Sequence, residues 1–159
     1  MPILTLEDFA AALPRQCALA GLDLGEKTIG IAVSDSLRMV GSPLETLRRT
    51  KFTADLERLF AILDERQIGA LVVGLPLNMD GTEGPRCQSN RAFARNLLAR
   101  RDLPLLFWDE RLSTAAVTRM MIDEHDMTRK RQAQAVDKLA AAWILQGALE
   151  RLRAFGSPA

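Results

Sequence analysis

Between Ala18 and Asp35 two apolar runs are separated by only four residues, Gly25 to Thr28. A link that short closes only an antiparallel hairpin, and an apolar run bounded by glycine suits a central strand covered on both faces. The chain is therefore expected to build a sheet outward from this hairpin. Asp23 ends the first run. Burial opposes its ionisation, so a charged Asp here needs a cation, a cluster of donors or a metal; alternatively it binds turn amides beside Gly25.

At 159 residues the chain amounts to about one domain with ample core. Its 21 Lys and Arg against 20 Asp and Glu leave a formal charge of +1, so any nucleic-acid surface must be a local patch. Cys17 and Cys87 form no Cys-x-x-Cys, which argues against a zinc ribbon or disulfide framework and for buried thiols in a reduced, cytoplasmic protein. The first nine residues carry Glu7 and Asp8 and no basic signal-like segment, and no run approaches the roughly eighteen apolar residues of a membrane span. A single histidine, His125, lies among Asp123, Glu124 and Asp126; it reads as a solvated loop residue and removes most His-based metal sites and triads.

Residues 1–16 read as an N-terminal extension to a domain at 17–155. Its helix starts near Thr5, with Leu6, Phe9, Ala10 and Leu13 on one face before Pro14. A third strand, Ser42 to Arg49, is directed to an edge by Pro43, which cannot donate to a ladder. Phe52, Leu56, Leu59, Phe60 and Leu63 have helical spacing, with Thr53 the expected N-cap. The crossover is long enough to make Gly69 to Pro76 parallel to the first strand. The turn-rich loop Leu77 to Pro85 leads to a second helix, Arg86 to Arg101, that turns Phe93, Leu97 and Leu98 inward. Its arginines, including Arg86, Arg91 and Arg95, are accompanied by no acid; they form either a solvated face or a phosphate-binding one. A fifth strand, Pro104 to Trp108, ends in Asp109-Glu110-Arg111. Ser113 or Thr114 can cap a short helix through Met121, and a polar loop from Asp123 to Gln134 holds Arg129-Lys130-Arg131, a solvated run or a strand-holding one. The last helix, Gln134 to Arg153, places Asp137 on one stripe with Ala141, Ile144, Ala148 and Leu152. The expected class is α/β: a five-stranded mixed sheet, its second strand antiparallel, flanked by helices.

This order can gather Asp23, Glu110 and Asp137 at the carboxyl ends of the strands, where open α/β sheets bind ligands. Three close carboxylates repel unless a divalent cation neutralises them, and an all-oxygen set suits Mg²⁺ or Mn²⁺, as one or two ions. Such a site can activate water and stabilise the leaving oxygen of a phosphodiester. Lys27 and Arg111 flank the acids as phosphate clamps, although Arg111 can equally be a partner of Asp109. The loop residues Asn78, Asp80 and Gly81 border the same end, for substrate contact or for turn chemistry alone.

Taken in order, Gly21 to Asp35, Val72 to Thr82, Asp109 to Thr114 and Val136 to Gln146 resemble the YqgF/RuvX family of bacteria over roughly residues 17 to 153. The resemblance implies a ribonuclease H-like fold related to Holliday-junction resolvases. It implies a nuclease maturing the 5′ end of pre-16S rRNA, with junction resolution on branched DNA as an alternative, and Asp23, Glu110 and Asp137 as the acidic site. The expected partners are structured RNA or branched DNA and ribosomal precursor particles, with no membrane, for a monomer or homodimer. Thr28 departs from the family pattern, which commonly has Arg after the lysine matched by Lys27. Two rivals stand beside it. An actin-like ATP-binding hairpin needs two domains, and the chain has no Gly-x-x-x-x-Gly-Lys-Ser/Thr loop. A non-catalytic ribosome-assembly or transcription factor would keep the fold without the chemistry.

Overall fold

The computed structural model describes residues 3–112 and 129–155, the side chains of 129–137 and 155 excepted. Its elements are β1 (Ile3–Leu4), α1 (Leu6–Ala12), β2 (Ala18–Leu24), β3 (Thr28–Ser34), β4 (Gly41–Arg48), α2 (Phe52–Glu65), β5 (Ile68–Leu75), α3 (Pro85–Arg100), β6 (Leu105–Asp109), a 3₁₀ turn (Glu110–Leu112) and α4 (Arg129–Phe155). The expected helix at 113–121, the loop that follows it and His125 lie outside the described residues.

The sheet runs β1-β6-β5-β2-β3-β4. The hairpin is antiparallel from Ala20↔Val33 to Leu24↔Ile29, and all seven residues of β2 are buried. β2 pairs parallel with β5, and β5 with β6, as the helical crossovers require. β4, bearing Pro43, is an edge strand.

Six strands stand where five were expected. Ile3 and Leu4 pair parallel with Leu105 and Leu106 and cover the outer edge of β6. Two residues are too few to show a strand period, so this pairing has no local signal. The N-cap of α2 is Lys51, with no side-chain cap bond, and Thr53 lies inside the helix. Asp55 displaces it by reaching back to the Thr50 amide and hydroxyl, both at 3.0 Å from Oδ1. α4 already includes Arg129, ahead of the expected start at Gln134, which places Arg129-Lys130-Arg131 on the helix; residues 129–134 are all good helix formers.

Alternation along β2 divides the interior in two. Leu22 and Leu24 face α2 and α3, joining Leu56, Leu59, Leu63, Phe93 and Leu97. Leu19 faces the opposite side, with Phe9 of α1 and Ala141, Ile144, Leu145 and Ala148 of α4. Among the described residues no helix is long and apolar enough to cross a membrane.

Candidate active site

Asp23 is the penultimate residue of β2 and only 5% exposed. By alternation it shares the α4 face with Leu19 and Gly21. α4 approaches that face so closely that a Cβ on Gly21 would lie 2.8 Å from the Ala141 carbonyl oxygen and 2.8 Å from Leu145 Cβ. On β5, one residue past the Leu22↔Val73 pair, Gly74 leaves a second notch. A Cβ there would lie 2.7 Å from Glu110 Oε1 and 2.6 Å from Ile144 Cδ1. The half-buried Glu110 carboxylate therefore folds over β5 beside the strand that carries Asp23. Asn90 of α3, itself buried, holds the Gly74 carbonyl from the edge of the notch at 3.0 Å.

The third acid of the expected set, Asp137, lies within α4, and its side chain is outside the described residues. Its backbone position is one helical turn N-terminal to Ala141, the residue that crosses Gly21. Towards its C-terminus α4 reaches Gln146, whose Oε1 accepts from the Gly41 amide at 2.8 Å, and Gly41 pairs with Ser34 at the opposite end of the hairpin. The N-terminal half of α4 thus runs towards the end of the sheet occupied by Asp23 and Glu110. Among the described residues no group of three His, Cys, Asp or Glu is gathered. The two placed side chains are hard oxygen donors, one on a rigid strand and one folded over its neighbour, and that chemistry fits Mg²⁺ or Mn²⁺.

The cations around this end differ in how they are held. Lys27 is exposed at the tip of the β2–β3 hairpin. Arg111 grips Asp109 through Nε and Nη2, at 3.1 and 2.7 Å, and its Nη1 donates to the Met79 carbonyl at 3.2 Å. It is thus the structural partner of Asp109, whose carboxyl this guanidinium holds below the usual carboxylate range. Arg86 is exposed at the start of α3 and reaches the Leu24 carbonyl at 3.4 Å. Arg91 is committed to Glu83, at 2.6 and 2.9 Å, and lies 5.1 Å over the Phe107 ring. Arg95, one turn on, is exposed. Arg129, Lys130 and Arg131 have backbone positions in the first turn of α4, with side chains outside the described residues.

The loop after β5 is closed by its own polar groups. The Asn78 amide donates to the Thr82 carbonyl and its Nδ2 to Thr82 Oγ1, both at 2.9 Å. Asp80 accepts from the Thr82 amide and hydroxyl at 3.0 and 2.6 Å. Gly81 has φ +89°, a left-handed conformation that glycine adopts without strain. These bonds hold Asn78, Asp80 and Gly81 in the turn. One residue of this region carries no signal in the sequence: Arg49, just beyond β4, whose Nη1 donates to the Gly25 carbonyl at 2.6 Å while its guanidinium lies 5.5 Å from the Phe93 ring centre. It props the hairpin two residues past Asp23. Only the β3–β4 register brings it there, so no local pattern announces it.

Structures with a similar fold include Thermus thermophilus RuvC in complex with a Holliday junction, at TM-score 0.52 and 14% identity, covering 87% of this chain and 95% of that one. The yeast mitochondrial Holliday junction resolvase Ydc2 superimposes at TM-score 0.51 and 11% identity, covering 94% and 86%. These likenesses show the ribonuclease H-like fold. A protein of Caulobacter vibrioides named "Putative pre-16S rRNA nuclease" is 66% identical over 154 residues, 96% of this chain and 99% of its own. One of the same name from Rhodospirillum rubrum is 59% identical over 152 residues, covering 96% and 94%. Residues 17–151 match the RuvX family, described as Holliday junction resolvase, and the chain belongs to that family.

Proposed function

We propose that this protein is an endonuclease that hydrolyses phosphodiester bonds in structured RNA, acting at the 5′ end of pre-16S rRNA on ribosomal precursor particles. The observation that carries this is the buried Asp23 carboxylate at the strand end, with Glu110 folded over the Gly74 notch beside it. The names of relatives near two-thirds identity support the substrate. Asp23, Glu110 and Asp137 would hold one or two Mg²⁺ or Mn²⁺ ions, which when bound supply an activated water and charge stabilisation for the leaving oxygen. The chain's own part is to place these acids and to hold the phosphate backbone against them. Asp23 is fixed by the central strand, Glu110 by its packing on Gly74, and Arg111 fixes the strand end before Glu110 through Asp109. Lys27 and Arg86 meet the phosphate backbone, with Arg95 and the Arg129-Lys130-Arg131 turn extending that track.

The family description favours a second substrate, a branched DNA junction, which presents the same phosphates. Both are tested together: end-labelled precursor 16S RNA and a labelled four-way DNA junction, each with Mn²⁺ or with chelator, for the wild type and Asp23→Asn. Metal-dependent cuts by the wild type are expected, and the variant should lose them while retaining binding. Binding by both proteins without a cut on either substrate would replace the nuclease by a non-catalytic assembly factor.

A further inference from the structure

At the end of the sheet away from Asp23 and Glu110, where β2 and β5 begin and β3 ends, lies a cavity of about 220 Å³. The buried Ser34 is part of its wall, and its hydroxyl is engaged: it accepts from the Leu19 amide and donates to the Asp35 carbonyl, both at 2.9 Å. Gln16, Ser36, Arg66 and Gln67 line the rest with side chains that bond to no other described residue, and no acid is among the lining residues described. Asp35, the neighbouring acid, turns its carboxylate to the Met39 and Val40 amides, at 2.8 and 3.1 Å. The walls are tied together before any ligand arrives, since Arg38 Nη1 donates to the Pro14 carbonyl at 3.1 Å and joins the loop of Ser36 to the turn of Gln16. Gln16, Arg38 and Gln67 are the described non-glycine residues with positive φ, at 54°, 57° and 54°, and all three stand at this end of the sheet. Gln67 follows the helix cap Arg66 and Gln16 precedes β2, places where glycine would turn the chain without strain. Side chains kept in strained positions around a cavity point to a ligand. We infer that this cavity binds the phosphate of a small phosphomonoester, at a site separate from the acidic one and independent of the nuclease reading. A guanidinium with amide and hydroxyl donors and no acid suits an anion. The donors come from three segments of the chain, and phosphate oxygens, which project in several directions, meet such a set better than a planar carboxylate does. The volume falls below the roughly 300–1,000 Å³ of drug-sized sites and suits a phosphate with one sugar ring.

The test titrates the full chain with ribose 5-phosphate, inorganic phosphate and ribose by calorimetry, for wild type, Arg66→Ala and Gln67→Gly, with melting temperatures measured alongside. Wild type should bind ribose 5-phosphate, bind inorganic phosphate more weakly and ignore ribose. Arg66→Ala should weaken binding of the sugar phosphate by about tenfold or more, as the loss of a charge-assisted contact requires. Gln67→Gly should weaken it by about threefold or more and melt no lower than wild type, because glycine relieves the left-handed strain. A Gln67→Gly protein that melts lower and binds as well as wild type would make that glutamine structural and overturn the inference. So would a wild type that binds no ribose 5-phosphate, or an Arg66→Ala protein that binds it as tightly. Loss of RNA affinity in Arg66→Ala, with no binding of the sugar phosphate by wild type, would assign the cation to the nucleic-acid backbone instead and overturn the small-molecule site.

Discussion

Single residues in this protein divide into those that hold the fold and those that serve the site, and Asp55 shows the first kind clearly. It is 2% exposed, and burial raises its pKa, but the Thr50 amide, with the Arg58 guanidinium and the Thr50 hydroxyl, outweighs that and leaves it below the usual carboxylate value. A folded-state pKa depressed in this way contributes stability that is complete above the ordinary carboxylate range and is lost as pH falls below it. Asp55→Ala should therefore cost about 1–3 kcal/mol in urea unfolding at neutral pH, and the difference from wild type should shrink in acid. A constant difference across that range would show that the carboxylate charge is not involved. Arg111 belongs to both kinds. Its pair with Asp109 is partly exposed and screened by solvent, so Arg111→Ala should leave the urea unfolding curve almost unmoved. Cleavage should nevertheless fall by about tenfold or more, because Glu110 and the 78–82 loop are left without a common anchor. A large stability loss with unaltered cleavage would reverse that assignment. The pairing of Arg111 with Asp109 was one of two alternatives open in the sequence, the other being a phosphate clamp, since only the fold shows what the guanidinium meets.

At the scale of elements, the packing of α4 on β2 governs the site. A Cβ at Gly21 would collide with backbone, the Ala141 carbonyl oxygen, which cannot rotate away as a side-chain tip can. Gly21→Ala should push α4 outward and destabilise the protein by about 1–3 kcal/mol, with a lowered melting temperature and impaired cleavage. A melting temperature equal to wild type would mean that the helix is not seated as described. The stripe of α4 was legible, since Ala141, Ile144 and Ala148 recur at helical spacing and all three are buried. So were the crossovers, which follow from chain length and handedness. The two-residue β1 and the Thr50–Asp55 link to α2 were not, because one depends on the edge left open by β6 and the other on a side chain reaching back five residues.

For the whole molecule, a formal charge of +1 leaves no general attraction for nucleic acid, so affinity has to come from a patch. Reversing the charge of Arg129-Lys130-Arg131 should weaken binding and flatten its salt dependence. The slope of log K against log salt should fall by about 0.9 for each duplex phosphate that is no longer neutralised, or by about 0.7 on single strands. An unchanged slope in filter binding or anisotropy would reduce the triplet to solvated helix surface. The same titration on RNA and on branched DNA compares the phosphate contacts that the two substrates share.

Much of this protein follows from its sequence alone, because the determining patterns are local: a four-residue link makes a hairpin, apolar periods make strands and helices, and acids after parallel strands fall at one end of a sheet. Asp23 and Glu110 were candidates on that ground, and Asp137 on the apolar stripe of the last helix. Tertiary structure decided what depends on residues distant in the chain. It recruited Ile3 and Leu4 as a sixth strand, brought Arg49 under the hairpin, bound Arg91 to Glu83, folded Glu110 over Gly74 and held up Met79 by its carbonyl. These are matters of register and of close approach between elements, and neither leaves a period or a motif in the chain that makes them.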